Sequence, residues 1–284
     1  MAEDINPNLI VQLIRRAETR LPEDVTGALK AAFRRERGVA RLQIRNILEN
    51  VKVAESEGIP MCQDTGAPVF YVRIGRGSDY RKIREAIAEG TRKATRVIPL
   101  RQNIVDPLTR RNTGDNTGEG MPAVHAEFHD GDYTEIAVLM KGAGSENMSR
   151  LGMLNPADGI TGIVEFVVKA VYEAGARPCP PTILGIGLGG TADDAMQLAK
   201  KALLGRIDIR NEDPGLAKLE QDILKRVNRL GIGPMGLGGK TTALGVNILK
   251  AGCHTASLPV GVNIQCWANR RAAVRIRRGK VRWL

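Results

Sequence analysis

A chain of 284 residues folds as one large domain or two ordinary ones, burying roughly three quarters of the surface it would expose unfolded. Apolar residues at 43% and charged residues at 26% exclude bulk disorder, and aromatics at 4% are too sparse for a base-stacking platform. No apolar run approaches the roughly 18 residues of a membrane span. The acidic start Met1-Ala2-Glu3-Asp4 has no apolar signal core, so a cytoplasmic location is expected.

In chain order, residues 7–53 have the spacing of helices, with acids in the first turn of the segment that opens at Pro22-Glu23-Asp24. Pro68–Ile74 is strand-like and residues 79–96 are helical. Arg101–Gly120 is polar and irregular, too long for a hairpin loop, as functional loops often are. Ala123–Phe128 and Tyr133–Met140 are expected to pair as strands joined at Asp130-Gly131. A helix over 157–175, a strand over Ile183–Leu188, and helices over 191–204 and 214–230 follow. Two half-buried strands are expected around Arg278-Gly279. Strands and helices interleave without a strict βαβ rhythm. The expected fold class is α+β, with mixed or antiparallel sheets surrounded by helices.

The charge balance is +11, carried by 29 Arg and 13 Lys. Arginine pairs bidentately with carboxylates and phosphates, so the excess fits an anionic substrate, an acidic partner or nucleic acid. Arg270, Arg271, Arg275, Arg277, Arg278, Lys280 and Arg282 crowd the end of the chain. They read as a solvated strand edge or a subunit contact, with phosphate gripping as the alternative.

Two glycine-rich stretches invite a nucleotide reading. Gly233–Thr242 misses the P-loop spacing because Pro234 stands where a glycine is required. Gly185, Gly187 and Gly190 satisfy GxGxxG, but the first two fall inside the expected strand. The plainer reading is backbone brought close to something bulky.

Four cysteines are too few for a disulfide scaffold and form no CxxC zinc motif. Cys62, Cys179 and Cys266 sit among turn formers and polar groups, in Met61-Cys62-Gln63-Asp64-Thr65-Gly66, Arg177-Pro178-Cys179-Pro180-Pro181 and Gln265-Cys266-Trp267-Ala268-Asn269. Loop-borne thiols beside such groups suit a metal cluster with a working face.

These segments, with Lys141-Gly142-Ala143-Gly144-Ser145-Glu146-Asn147, Gly233–Gly239 and His254–Val260, resemble in order and spacing the iron–sulfur (class I) fumarate hydratase family. Within it they resemble the α subunit of the two-subunit form, with the L-tartrate dehydratase α subunit a close relative. The resemblance implies a [4Fe–4S] cluster on Cys62, Cys179 and Cys266 with one iron open to substrate. Cys253 is then a non-ligand. It implies Asp64 and His254 as catalytic groups. Gln63, Asp64, Arg101, Gly142, Gly144 and His254 become substrate contacts, and Ser145 and Asn147 are further candidates. His125 and His129 are left as structural. The implied reaction is reversible hydration of fumarate to (S)-malate, with L-tartrate to oxaloacetate as the alternative and a basic nucleic-acid binder as a reading of a different class. One-chain members continue into a further domain. This chain stops 18 residues after Cys266, so it is expected to be a single cluster-binding catalytic domain over 1–284, divisible into lobes near 150–180. A separate β subunit would supply the rest, in a heterotetramer of two α and two β subunits. Alone, the chain should hold the cluster and lack full activity.

Overall fold

The structure is a computed structural model that describes residues 5–284; the acidic start at Met1–Asp4 lies outside the described residues. It is a mixed α and β protein that divides into two compact units. No helix among the described residues is long and apolar enough to cross a membrane.

The first unit takes the described residues up to Pro22, Asn50–Ala143 and Arg270–Leu284. Its sheet contains β1 (Ala67–Ile74), β2 (Ala123–Phe128), β3 (Thr134–Lys141), β8 (Arg271–Arg277) and β9 (Lys280–Trp283), in the order β2-β1-β3-β8-β9. Two helices, α1 (Pro7–Thr19) and α4 (Tyr80–Val97), share one core with it. Asn6 caps α1, its side chain accepting from the N–H groups of Asn8 and Leu9, and Pro7 follows at the first turn. The stripe Ile10, Leu13, Ile14 and Ala17 packs with Ile83, Ile87 and Ala94 of α4 and with Phe70, Val72 and Ile74 of β1. Shortening Leu13 to Ala would cost about 2–5 kcal/mol through the cavity left behind.

One expected pairing is corrected here. β2 and β3 do not form a hairpin: β1 lies between them, parallel to β2 and antiparallel to β3. Thr134, Ile136, Val138 and Met140 of β3 are buried, and such a strand needs a neighbour on each side, here β1 and β8. β2 is the half-exposed edge, reached from β1 through α4. The two expected terminal strands are present as the β8–β9 hairpin.

The second unit takes Glu23–Glu49 and Gly144–Asn269. Its sheet has the order β4-β7-β5-β6, from β4 (Arg150–Leu154), β5 (Thr182–Leu188), β6 (Ala243–Lys250) and β7 (Leu258–Gln265). β5 runs parallel to β6 and antiparallel to β7. Helices α6 (Gly159–Ala174) and α8 (Pro214–Arg229) cover the face that holds Leu184, Ile186, Val246, Val260 and Val262. α7 (Ala192–Ala202) covers the other face. It lies so close that a Cβ at Gly185 would stand 2.1 Å from the Ala199 carbonyl oxygen, and one at Gly187 would stand 2.0 Å from that of Ala195. The bulky neighbour of the GxGxxG glycines is therefore a helix backbone. Helices α2 (Glu23–Arg35) and α3 (Gly38–Glu57) precede β1, and α5 (Ala143–Glu146) follows β3.

Candidate functional site

The loop after α3 carries Cys62, Gln63 and Asp64. Met61 is buried; its N–H donates to the Glu18 carbonyl at 3.0 Å and its carbonyl accepts from Asn50 Nδ2 at 2.7 Å. Cys62 and Asp64 are half-buried and Gln63 is exposed. Asp64 Oδ1 accepts from Gly66 N at 2.9 Å and from Asn103 Nδ2 at 3.2 Å, and Oδ2 accepts from Ala143 N at 2.8 Å. Three donors thus aim one carboxylate. A Cβ at Gly142 would meet Asp64 Oδ2 at 3.1 Å and an Arg270 guanidinium nitrogen at 3.3 Å, so the smallest residue lets the backbone pass there.

The irregular stretch after α4 brings Arg101 to the same place. Arg101 N donates to Thr65 Oγ1 at 3.0 Å. Buried Asn116 ties the stretch together: its Oδ1 accepts from Asn103 N at 2.8 Å, and its Nδ2 donates to the Arg101 carbonyl at 3.0 Å and to Thr95 Oγ1 at 3.1 Å. Arg101 itself remains exposed.

Behind Asp64 lies a buried ion pair that the sequence reading missed. Arg270 is 1% exposed; its Nη1 donates to the Asp64 carbonyl at 2.6 Å and to the Glu18 carboxylate at 3.2 and 3.4 Å. Burial pushes the Glu18 carboxyl up to about 7, against the downward pull of Arg270 and with a smaller upward push from Asp64. Both residues had a signal. Glu18 continues the i, i+4 stripe from Ile10 and Ile14. Arg270 has the same phase as Ala272, Val274 and Ile276, the inward side of β8. Asn103 and Asn116 had none, because an irregular loop has no period.

In the second unit, Cys179 and Cys266 stand at one end of the sheet. Cys179 precedes β5 and Cys266 follows β7, whose Gln265 pairs with Ile183. The Cys179 carbonyl accepts from Trp267 N at 3.4 Å, and the Pro180 carbonyl accepts from Met235 N at 2.7 Å. The Gly233–Gly239 stretch therefore braces the Cys179 loop. Gly144 lies beside it, a Cβ there standing 3.0 Å from the Arg177 carbonyl oxygen. Ser145 Oγ donates to Gln265 Oε1 at 3.4 Å, and Gln265 Nε2 donates to the Ala268 carbonyl at 3.1 Å, which fixes the turn that bears Cys266. None of the four cysteines is in a disulfide.

His254 is elsewhere in that unit. His254 precedes β7 and Cys266 follows it; the eight extended residues of β7 carry the chain about 25 Å, so His254 lies at the end of the sheet opposite Cys179 and Cys266. It is exposed, and its Nδ1 accepts from Ala256 N at 3.1 Å, so the neutral ring carries its proton on Nε2. Cys253 is exposed, its Sγ 3.3 Å from the Ser257 carbonyl oxygen. His125 stacks on Tyr71 and His129 tilts against Tyr133. Among the described residues no group of three or more His, Cys, Asp or Glu is arranged around a single metal ion.

Much of the terminal basic segment is already paired. Arg275 binds Glu135 at 2.6 Å, and Arg277 and Arg278 bind Asp132 at 2.8 and 3.4 Å. With Arg270 buried, less cationic surface is left than the sequence suggests.

The fumarate hydratase (fumerase) family matches residues 8–275. The chain belongs to this family. It is 51% identical over 276 residues to a Methanocaldococcus jannaschii protein provisionally named L(+)-tartrate dehydratase subunit alpha, covering 95% of this chain and 97% of that one. It is 37% identical to a Geobacillus stearothermophilus protein provisionally named fumarate hydratase class I, covering 93% of this chain and 54% of that longer one. It is 34% identical to the L(+)-tartrate dehydratase subunit alpha of an Escherichia coli strain, covering 94% and 89%. These are names of hydro-lyases, and the chain is accordingly an enzyme of that class.

Proposed function

We propose that the chain is the cytoplasmic α subunit of an iron–sulfur hydro-lyase that reversibly hydrates fumarate to (S)-malate, completed by a separate β subunit in a heterotetramer of two α and two β subunits. The observation that carries this reading is Asp64: a half-buried carboxylate aimed by three N–H donors, two residues from Cys62 and joined through Thr65 to Arg101. Cys62, Cys179 and Cys266 are the proposed cluster ligands. The donor set fits in kind, since all three thiols lie on loops outside any disulfide. When bound, the cluster supplies a Lewis acid to the substrate hydroxyl and a carboxylate.

The chain's own groups do the remaining work. In dehydration Asp64 gives a proton to the departing hydroxyl, which leaves as water, and in hydration it takes that proton from the adding water. Arg101 pairs with a substrate carboxylate and offsets the charge that grows there as the C3 proton leaves. Gln63 and the backbone at Gly142 and Gly144 orient the dicarboxylate. The C3 base belongs to the partner subunit. His254 is the second proposed catalytic and substrate-contacting group; within its own unit its loop lies at the far end of β7 from Cys179 and Cys266.

A second reading, dehydration of L-tartrate to oxaloacetate, is favoured by the name of the Methanocaldococcus jannaschii relative. Anaerobic reconstitution with iron, sulfide and the β subunit, assayed on both substrates, decides between them. Malate formation from fumarate supports the first reading and oxaloacetate from L-tartrate alone supports the second; turnover of neither overturns both. Asp64→Asn should lower kcat by about 10²–10⁴-fold, as loss of a general acid–base group does.

A further inference from the structure

The two residues of a buried ion pair hold the Cys62-Gln63-Asp64 segment at both ends, Glu18 through its backbone and Arg270 through its side chain. At its start the Glu18 carbonyl accepts from Met61 N at 3.0 Å, and at its end Arg270 Nη1 donates to the Asp64 carbonyl at 2.6 Å. The same Nη1 reaches the Glu18 carboxylate at 3.2 and 3.4 Å, and neither side chain is more than 1% exposed. Arg270 is itself anchored to β3, its carbonyl accepting from Met140 N at 2.9 Å. Its guanidinium also stands beside Gly142, on the side of the Asp64 carboxylate.

Such a pair is a poor source of stability. Replacing both buried charges by apolar groups of similar volume is often neutral or favourable. A hydrocarbon, however, cannot bind the Asp64 carbonyl, and the flexible point charge of a lysine ammonium does not hold a donor in place as a planar guanidinium does. We propose that Arg270, braced by Glu18, is a positioning residue that sets the place of the Asp64 carboxylate and the Cys62 thiol. This rests on the reading of Asp64 as acid–base group and Cys62 as ligand.

The test compares wild type, the double variant Glu18→Leu/Arg270→Met and Arg270→Lys, each as the full chain with its partner subunit. Three quantities are measured: the thermal midpoint, kcat and KM on the turned-over dicarboxylate, and the alkylation rate of Cys62 in the cluster-free chain, read by peptide mass spectrometry. The double variant is expected to melt close to wild type, yet to lose about 10²-fold in kcat, the scale of an ångström-sized misplacement. KM should change far less, and the Cys62 alkylation rate should shift severalfold. A folded double variant with wild-type kcat and Cys62 rate would overturn the proposal. If the double variant does not fold, Arg270→Lys decides on the same quantities: wild-type values overturn the assignment, and a shifted Cys62 rate with lowered kcat supports it. The alkylation rate needs neither cluster nor turnover. An inactive, cluster-free wild type would therefore count against the functional reading while the positioning role was still judged.

Discussion

At the scale of single residues, the chemistry of this chain concentrates where backbone donors converge on short polar side chains. Asp64 is aimed from three separate segments, by Gly66, Asn103 and Ala143. Asn116 in turn holds the Arg101 and Asn103 backbone in place. Asn116→Ala removes three hydrogen bonds from a buried position, and the groups left unpaired should cost about 1–3 kcal/mol. A urea titration would measure that loss, and the KM for the dicarboxylate should rise with it. The four cysteines separate cleanly by context. Cys179 and Cys253 are both exposed, but Cys179 lies in a loop braced by Met235 and Trp267 at the end of the sheet that also bears Cys266, and Cys253 lies on the loop at the other end. Cys179→Ser should therefore abolish the visible absorption of the reconstituted cluster and Cys253→Ser should leave it intact. The opposite pattern would undo the ligand assignment.

At the scale of elements, periodicity located strands and helices but not their neighbours. β1, β5, α4, α6, α7 and α8 stand close to where apolar spacing puts them. The β2–β3 hairpin does not form, because a strand buried along its length pairs wherever two neighbours are available, and β1 and β8 supply them. The glycines of β5 show the same limit. Their spacing resembles a nucleotide motif, but their function is to let α7 lie on the sheet. Gly187→Ala would drive a Cβ to 2.0 Å from the Ala195 carbonyl oxygen, and a helix backbone cannot rotate aside as a side chain can. Overpacking of this kind should cost about 1–3 kcal/mol in a denaturant titration; an unchanged midpoint would show that α7 shifts freely.

At the scale of the whole molecule, net charge is a weak guide to partners. The chain carries +11, but several arginines of its most basic segment are committed to Glu135, Asp132 and Glu18. The buried pair also gives the chain a pH signature. The Glu18 carboxyl is raised from 4.5 to about 7 by burial, with Arg270 and Asp64 the charged groups that act on it. The folded form then holds a proton that the unfolded chain has already lost between those values. Glu18 thus contributes stability that is fully present below pH 4.5 and is lost as pH rises through about 7. Wild type and Glu18→Gln, compared by urea unfolding at pH 5 and pH 8, should differ in slope. The glutamine variant should gain on wild type at the higher pH, and parallel behaviour would mean that Glu18 is ionised throughout.

The sequence by itself determined the family, the mixed α and β class, most element positions, and which segments carry reactive side chains. Motif order, helical spacing and strand alternation are local properties that a linear chain displays directly. Only the tertiary structure decided that Asn103 and Asn116 serve Asp64, that Arg270 leaves the basic tail to pair with Glu18, and that His254 stands a sheet's length from Cys266. Those facts depend on which distant segments share a core and on how far an extended strand carries the chain. Distance along the sequence does not encode either.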